Sequence, residues 1–289
     1  MIKIYKSKNN FENEKLSEKE KKSRMKELQA LIVENDPYAR TDDIYLIRWL
    51  SCRDWDVQAA YRRRMKYYNF RKLHADWYPR KDITEHEKML QREYGFMLDG
   101  RDKNGRRVYL ARASRINLHE HTFDEKIALD NLWFDMVCEE LETIKNGVTV
   151  VIDMKDIAWS TIKWALNSQN MKLCSRYCGF VPLRYVEIHL INTSKIANLI
   201  ISLCFPFLSD GLKERIHFHK SNLESLHKFV GKDVLPMEYG GDKDPDMKGI
   251  YRKLYEHFKC TPKNKNWYNN VGKEPYRVRS FDRVENRMG

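Results

Sequence analysis

The feature that most constrains the fold is a continuous apolar run from Val148 to Met154, with Asp153 near its end. Its length and its lack of alternation are typical of a strand that is buried on both faces. Two more strands are predicted at Tyr185–Ile191 and Arg215–His219, and a helical pattern separates each strand from the next. This alternation implies right-handed crossovers and a mainly parallel sheet. The chain is therefore predicted to contain an α/β domain whose helices cover at least one face of the sheet.

A hairpin and two long helices are predicted around that run. Tyr94–Leu98 and Val108–Ala111 are strand-like and flank the segment DGRDKNGR, whose Asn-Gly pair is a strong signal for a tight hairpin turn. The spacing of apolar residues predicts one continuous helix over Phe123–Ile144 and a second over 160–176.

The N-terminal part of the chain is predicted to form a small helical bundle over 16–75. Its first helix begins at Ser17, where Glu20 completes a capping box, and it ends at Pro37. A second helix follows, and a third begins at Asp56, which is a good N-cap residue. The third helix has one apolar face and one basic face, and the basic face carries Arg62, Arg63, Arg64 and Lys66.

Two boundaries divide the chain into three predicted parts. The segment WYPRKD at 77–82 has the composition of a linker, and the α/β domain is predicted over 94–245. Residues 246–289 are basic and aromatic with little periodicity, so they are predicted to form a C-terminal tail. A helix near 248–258 is the one element that the pattern of the tail allows.

The charge of the chain favours anionic partners. Its 53 basic and 41 acidic residues give a formal net charge of +12, which suits nucleic acid or the anionic face of a membrane, with a solvated basic surface as the alternative. No nucleic-acid recognition motif accompanies the charge, so nucleic acid is not predicted as a partner. No stretch approaches the ~20 apolar residues that span a bilayer, and the N-terminus has no signal-peptide core. We expect a cytoplasmic protein that is peripheral at intracellular membranes.

Motifs that carry catalytic chemistry are missing from the sequence. The strand Val148–Ile152 is not followed by the glycine-rich turn that lets backbone amides meet phosphates, and there is no P-loop and no GxSxG elbow. Asp153 is better placed to cap a turn than to act as a base. His217 and His219 share one face of a strand, but two histidines are a weak metal signal. We therefore predict no catalytic residues, no metal ion and no cofactor.

Three segments, in order along the chain, resemble the CRAL-TRIO family of lipid-binding proteins. They are DDIYLIRWLSCRDWDVQAAYRRRMKYYNFR at 42–71, VPLRYVEIHLINTSKIANLIISLCFPFLSDGLKERIHFH at 181–219, and VLPMEYGG at 234–241. The resemblance implies that a small helical bundle packs on an α/β domain. It further implies that a cavity between sheet and helices holds a lipophilic ligand, and that a mobile gate helix closes the cavity.

The resemblance places the gate at the helix predicted from Ser194 to about Cys204. One face of this helix carries Ile196, Ile200 and Leu203. The cavity wall is predicted to include side chains from three facing elements, namely Phe134, Val137, Val148, Ile152 and Ile188. A plain hydrophobic core is the alternative interpretation for all of these residues, and without the resemblance it would be preferred.

In a tocopherol-carrying member of the family, a basic cleft beside the gate binds phosphoinositide headgroups. The corresponding residues here are Arg184, Lys213 and Arg215, with Arg53 nearby in the helical bundle. Clustered arginine and lysine suit phosphate because they supply several charged donors. This sequence departs from that member at Gly211 and Val186, where basic residues are expected. It also has Leu183 where the phosphatidylinositol-exchange branch of the family has an acidic residue, which argues against phosphatidylinositol as the enclosed cargo.

The resemblance predicts an intracellular lipid-transfer protein that is not an enzyme. Its expected ligand is one hydrophobic small molecule of the retinoid, tocopherol or carotenoid type. Its expected membrane partners are phosphoinositides or other acidic phospholipids. A phospholipid-sensing regulatory or scaffold module that moves no cargo is the alternative.

Overall fold

The computed structural model describes residues 16–78, 86–194, 198, 201–203, 205–208 and 210–260. The helices in these ranges are α1 (Glu18–Asn35), α2 (Asp43–Ser51), α3 (Val57–Leu73), α4 (Glu87–Leu90), α5 (Phe123–Val137), α6 (Leu141–Asn146), α7 (Trp159–Leu166), α8 (Ser168–Phe180), α9 (Asp210–Lys213), α10 (Leu223–His227) and α11 (Met247–Cys260). The strands are β1 (Gly95–Arg101), β2 (Arg107–Arg112), β3 (Val148–Asp153), β4 (Val186–Ile191) and β5 (Ile216–Lys220).

The three N-terminal helices begin where their capping residues stand. Ser17 and Glu20 form the predicted capping box of α1, and this helix ends ahead of Pro37. Asp42 and Asp56 cap α2 and α3, because each side chain accepts a hydrogen bond from a backbone N–H of the first turn. The helices pack around one core of their own, whose fully buried members include Leu28, Ile32, Tyr45, Trp49 and Leu50.

The basic face predicted for α3 is only partly on the surface. Arg62 and Lys66 are exposed, but Arg63 and Arg64 are buried. Arg64 Nε donates to the Tyr45 hydroxyl at 2.7 Å. Long arginine stems can lie in an apolar layer while the guanidinium keeps polar or aromatic partners. Of the four basic residues predicted for this face, two are therefore at the surface and two lie in the interior.

The five strands form one sheet in the order β1-β2-β3-β4-β5. β1 and β2 are antiparallel, and every later pairing is parallel, as the alternation of strands and helices predicted. Gly105 takes a φ of +74° in the turn between β1 and β2, a value that favours glycine. Gly95 lies directly beneath the ring of Tyr109, whose hydroxyl would be 2.0 Å from an added Cβ atom.

Two helices that the sequence predicts as continuous are each broken. The predicted helix over Phe123–Ile144 is α5 followed by α6, and Glu140 between them is extended at φ −88° and ψ 117°. The predicted helix over 160–176 is α7 followed by α8, with the break at Asn167. The Asn167 side chain accepts the N–H groups of the next turn and so starts a new helix. Apolar periodicity continues across both breaks and does not reveal them.

The C-terminal helix packs on the sheet domain. The helix predicted near 248–258 is α11, and its Ile250 and Leu254 are buried in the core around the sheet. The Trp133 ring of α5 lies 6.3 Å, centroid to centroid, from that of Tyr251. The division of the chain at residue 245 stays a prediction.

Contacts join the helical unit to the sheet domain. Arg40, ahead of α2, donates to Glu139 Oε2 at 3.1 Å. The Phe70 ring of α3 lies 5.8 Å from the Phe180 ring of α8. Within the described ranges, no helix is both long enough and apolar enough to cross a membrane.

Candidate functional site

The two faces of the sheet differ sharply in burial. Along β3 and β4, Thr149, Val151 and Asp153 are buried, as are Glu187 and His189. The residues between them, on the other face, are apolar yet in part reachable by solvent. Together with their neighbours on β5 they form what we call the open sheet face, which consists of Val150, Ile152, Val186, Ile188, Ile216 and Phe218.

The open sheet face is less completely buried than the opposite face of the sheet. Its residues lie on β3, β4 and β5, and β3 and β4 are internal strands, which a parallel sheet normally buries on both sides. On the opposite face Val151 and Ile191 are 0% exposed. Six apolar side chains left open in the middle of a domain are typical of a pocket wall rather than of a closed core.

Two aromatic contacts limit the open sheet face. At the β2 side, the Phe134 ring of α5 lies 5.2 Å from the ring of Tyr109. At the β5 side, the ring of Phe205 lies 6.2 Å from that of Phe218. Phe205 begins a 3-10 turn, Phe205–Phe207, that also contacts α8. Helix α5 therefore stands at one side of the open sheet face, and this turn, which contacts α8, stands at the other.

A group of basic side chains lies where the helical unit meets the start of β4. The guanidinium groups of Arg184 and Arg215 stand 5.2 and 5.8 Å from the ring of Tyr185. Arg184 also pairs with Asp54 at 2.7 Å, which brings the loop after α2 to the same place. Both arginines are thus held over one aromatic ring at the boundary between the two units.

Arg63 joins this group from beneath. Its side chain is buried on α3, and its Nη2 donates to the carbonyl oxygen of Leu183 at 3.4 Å. Burial lowers the pKa of Arg63, and the positive charges of Arg53 and Arg215 lower it further, against an opposing effect of Cys52. Arg53 and Arg215 are therefore close enough for their charges to act on Arg63. We call Arg53, Arg63, Arg184 and Arg215 the arginine cluster.

A separate pocket of about 480 Å³ lies beside the end of β2 and the start of α7. It is lined largely by polar residues, among them Arg92, Arg115 and His119. The two arginines are already paired, Arg92 with Glu120 and Arg115 with Glu93. None of the lining residues of this pocket belongs to the open sheet face.

Comparison with known proteins decides the family. The model of the CRAL/TRIO domain matches residues 91–241, which is more than half of the chain. The chain belongs to the CRAL/TRIO family. This confirms the resemblance seen in the sequence, and the α/β fold with its N-terminal helices and mainly parallel sheet agrees with that family.

Individual relatives of this CRAL/TRIO chain are distant. Clavesin-1 of Xenopus laevis is 25% identical over 218 residues, which cover 75% of this chain and 66% of the relative. Clavesin-2 of Homo sapiens is 25% identical over 223 residues, covering 76% and 68%. The match spans slightly under two thirds of Clavesin-1, and 62% of the Rattus norvegicus protein. The crystal structure of Sfh5 has a TM-score of 0.54 at 14% identity, covering 82% of this chain and 92% of that one, and shows the shared fold.

The cavity residues predicted for this CRAL/TRIO chain are placed unevenly. Phe134, Ile152 and Ile188 are partly buried beside or on the open sheet face. Val137 and Val148 are 0% exposed and lie within the core around the sheet. Leu203 is 55% exposed, in a helical stretch at 201–203. Ile196 and Ile200 lie outside the described residues. A role for any of them in binding stays a prediction.

Four members of the open sheet face were missed by the sequence analysis. Val150, Val186, Ile216 and Phe218 follow the same two-residue alternation as Ile152 and Ile188, so that signal was present in the sequence.

The predicted basic residues are partly brought together. Arg53, Arg184 and Arg215 belong to the arginine cluster, and Lys213 ends α9 two residues before Arg215 and pairs with Asp210 at 3.0 Å. Arg63 was not predicted as a member of this group, because several basic residues on one helix face usually indicate a surface exposed to solvent.

Proposed function

We propose that this chain is a non-catalytic carrier that holds one hydrophobic small molecule against the open sheet face and releases it at a membrane. The open sheet face carries the proposal. Its six members are all apolar, so an apolar ligand that covers them removes apolar surface of both ligand and protein from water, which favours binding. A ligand lying along three strands would cover them together.

The proposed cargo is of the retinoid, tocopherol or carotenoid type, which is long, apolar and has at most one polar end. The open sheet face offers no charged side chain to a headgroup. A polar group beside it, the Tyr109 hydroxyl, already donates to Asp130 Oδ1 at 2.6 Å. These features favour an isoprenoid over a phospholipid as the enclosed molecule. The helical stretch at 201–203, with Leu203 exposed, is the proposed gate.

The proposed membrane cue is an acidic phospholipid headgroup, a phosphoinositide above all, bound at the arginine cluster with Lys213. Arginine presents several donors in a fixed planar fork, which matches phosphate oxygens. The charge imbalance of the whole chain adds attraction toward an anionic surface. Because Arg215 directly precedes β5, which carries Phe218, a bound headgroup and the enclosed cargo would contact neighbouring parts of the chain.

The proposal can be tested by filling the space over the open sheet face with a larger side chain. Ile188→Trp places a large ring on the open sheet face, and Val33→Trp adds the same bulk to α1, where Val33 is 42% exposed. Each protein is incubated with a retinoid, a tocopherol and a carotenoid, separated from free ligand, and extracted for mass spectrometry. We expect about one isoprenoid per chain in the wild type and in Val33→Trp, and a loss of at least ~10-fold in Ile188→Trp.

Two results would overturn this function. If mixed phospholipids are recovered and no isoprenoid binds, the function is phospholipid exchange or sensing. Equal isoprenoid loading of Ile188→Trp and Val33→Trp would show that the ligand lies elsewhere.

A further inference from the structure

The buried side of the sheet, opposite the open sheet face, carries an unusual polar cluster. Glu187 and His189 of β4 lie beside His217 and His219 of β5, and the parallel register pairs His189 with His217. His189 is 1% exposed, and Glu187 and His219 are each 6% exposed. Polar groups buried this deeply require a partner for each donor and acceptor. The proposed carrier function uses none of these four residues.

A chain of hydrogen bonds fixes the tautomer of His189. The Ser225 hydroxyl donates to the carbonyl oxygen of Asn222 at 2.7 Å, so toward His219 Nδ1, 2.5 Å away, its oxygen is the acceptor. His219 therefore carries its proton on Nδ1 and presents a lone pair at Nε2. That lone pair lies 2.9 Å from His189 Nδ1, which must be the donor.

The consequence is a bare lone pair on His189 Nε2. This atom is buried and has no hydrogen-bond partner among the described residues. His217 and Glu187 belong to the same cluster as His189, and one ligand-type atom from each of the three residues lies within 4.8 Å of the others. A buried imidazole lone pair beside a second imidazole and a carboxylate has the composition of a His₂Glu metal site.

We propose that Glu187, His189 and His217 bind one divalent transition-metal ion, with Zn²⁺ as the best match. Two imidazole nitrogens and one carboxylate oxygen supply three of four tetrahedral positions, and water completes the fourth. The site lies on the far side of the sheet from the open face, so it does not depend on the carrier function.

Groups around the three residues already hold them as outer partners of a metal do. Arg106 Nη2 lies 3.3 Å from Glu187 Oε1, and the other carboxylate oxygen, Oε2, is the one that meets His217. His219 accepts the Nδ1–H of His189 and is itself held by Ser225. Such outer hydrogen bonds fix ring orientation and raise ligand basicity in known metal sites.

One side chain must rearrange for the ion to bind. The rings of His189 and His217 are stacked 4.7 Å apart at 17°, and two nearly parallel rings cannot aim their lone pairs at one ion. His217 is the more accessible of the two, with 24% of its side chain exposed. Rotation of its ring turns Nε2 toward His189. The ion then takes the place of the proton between His217 Nε2 and Glu187, which lie 2.6 Å apart, and that proton passes through solvent to His217 Nδ1, so that His217 binds the ion as a neutral imidazole.

Co²⁺ binding to the full-length chain without a histidine tag tests the site. The protein is treated with a chelator and dialysed, and Co²⁺ alone is then added while the visible absorption of the bound ion is recorded. Zn²⁺ affinity is measured separately by calorimetry. We expect one ion per chain, a tetrahedral cobalt spectrum and no thiolate-to-cobalt charge-transfer band.

Variants assign the ligands. We expect His189→Gln and His217→Gln each to weaken binding by at least ~10-fold, since each removes one of three ligands. Ser225→Ala leaves all three ligands in place and removes only the support of His219, and we expect a loss of about 10-fold or more. His119→Gln, at an exposed histidine, and the double variant Cys174→Ser/Cys178→Ser are the controls, with unchanged affinity.

X-ray absorption on the zinc-loaded wild type covers the case in which a buried variant fails to fold. Nitrogen and oxygen ligands without sulfur support the site. Three results would overturn it: no ion bound by the wild type, a sulfur-containing ligand set, or binding that the folded His217→Gln and Ser225→Ala variants leave unchanged.

Discussion

The ring of Phe205 lies 6.2 Å from the ring of Phe218, and this contact ties the turn after the proposed gate to the outermost strand of the open sheet face. An aromatic pair of this kind stabilises its arrangement by about 0.5–1.5 kcal/mol beyond simple burial. The turn thus has a defined resting position from which opening must start.

Phe205→Ala should speed the release of cargo. Loss of the pair corresponds to an increase of about 2- to 12-fold in the dissociation rate. The rate is measured by transfer of a bound isoprenoid from the protein to acceptor vesicles. Tyr38→Ala removes a 97% exposed ring and serves as the control, with an unchanged rate. If both variants release cargo at the wild-type rate, the turn does not restrain the gate.

The double variant Lys213→Ala/Arg215→Ala should weaken binding to acidic liposomes while leaving cargo affinity near normal. Each basic residue near an anionic surface contributes about 1 kcal/mol, so a loss of roughly 30-fold is expected at low salt and less at high salt. Arg62→Ala/Lys66→Ala removes the same charge from the exposed side of α3. Equal losses in the two double variants would mean that overall charge, and not this cluster, governs docking.

Asp42→Asn should destabilise the protein at neutral pH but not in acid. Asp42 accepts from Tyr45 N–H and pairs with Arg40 Nη2 at 3.0 Å. Burial raises the pKa of Asp42, but the hydrogen bond and charge of Arg40 lower it by more, so the net pKa lies below its ordinary 3.8. A carboxyl with a lowered pKa stabilises the fold above the unfolded pKa, and this contribution is lost as the pH falls through the folded pKa.

We expect Asp42→Asn to lose about 0.5–1 kcal/mol of unfolding free energy at pH 7, the range of a partly exposed ion pair. The difference from wild type should shrink below about pH 3.8. Urea unfolding at several pH values measures it. Asp56→Asn is the matched control because Asp56 caps α3 in the same way and no ion pair of Asp56 is found in the described residues. If Asp56→Asn lost as much unfolding free energy as Asp42→Asn, with the same dependence on pH, the role given to Arg40 would be contradicted.

Two glycine substitutions should change the free energy of unfolding in opposite directions. In Gly95→Ala the new methyl group meets the Tyr109 hydroxyl, and we expect a loss of about 1–3 kcal/mol. Gly179 lies in α8 with no atom within 4 Å of an added Cβ, so Gly179→Ala should stabilise the fold by about 0.4–1 kcal/mol. Urea unfolding measures both. A Gly95→Ala variant as stable as the wild type would show that Tyr109 moves aside freely.

The fold was predictable from the sequence because elements that are buried on one or both faces show a regular spacing of apolar residues. The apolar run at Val148 marked β3, and its spacing from later strands indicated the parallel sheet. The helix breaks at Glu140 and Asn167 do not change the spacing of apolar residues, so the sequence did not predict them. They depend on local backbone geometry and on side-chain capping.

The candidate sites were harder to predict because they depend on register. Two histidines of β5 alternate visibly in the sequence, but Glu187 and His189 stand about thirty residues earlier, and only the pairing of β4 with β5 brings them alongside. The burial of Arg63 could not be predicted from the sequence either, because a helix face with several arginines resembles an ordinary solvated surface.

The order of strands in the sheet is also their order along the chain. Such a sheet can be assembled during synthesis by adding each strand to the free edge left by the one before, without ever inserting a strand between two that are already paired. The last described helix, α11, then returns to the first strand and to α5. A nascent chain on the ribosome would thus carry a growing but unfinished sheet, and release of α11 would complete the packing at the oldest edge.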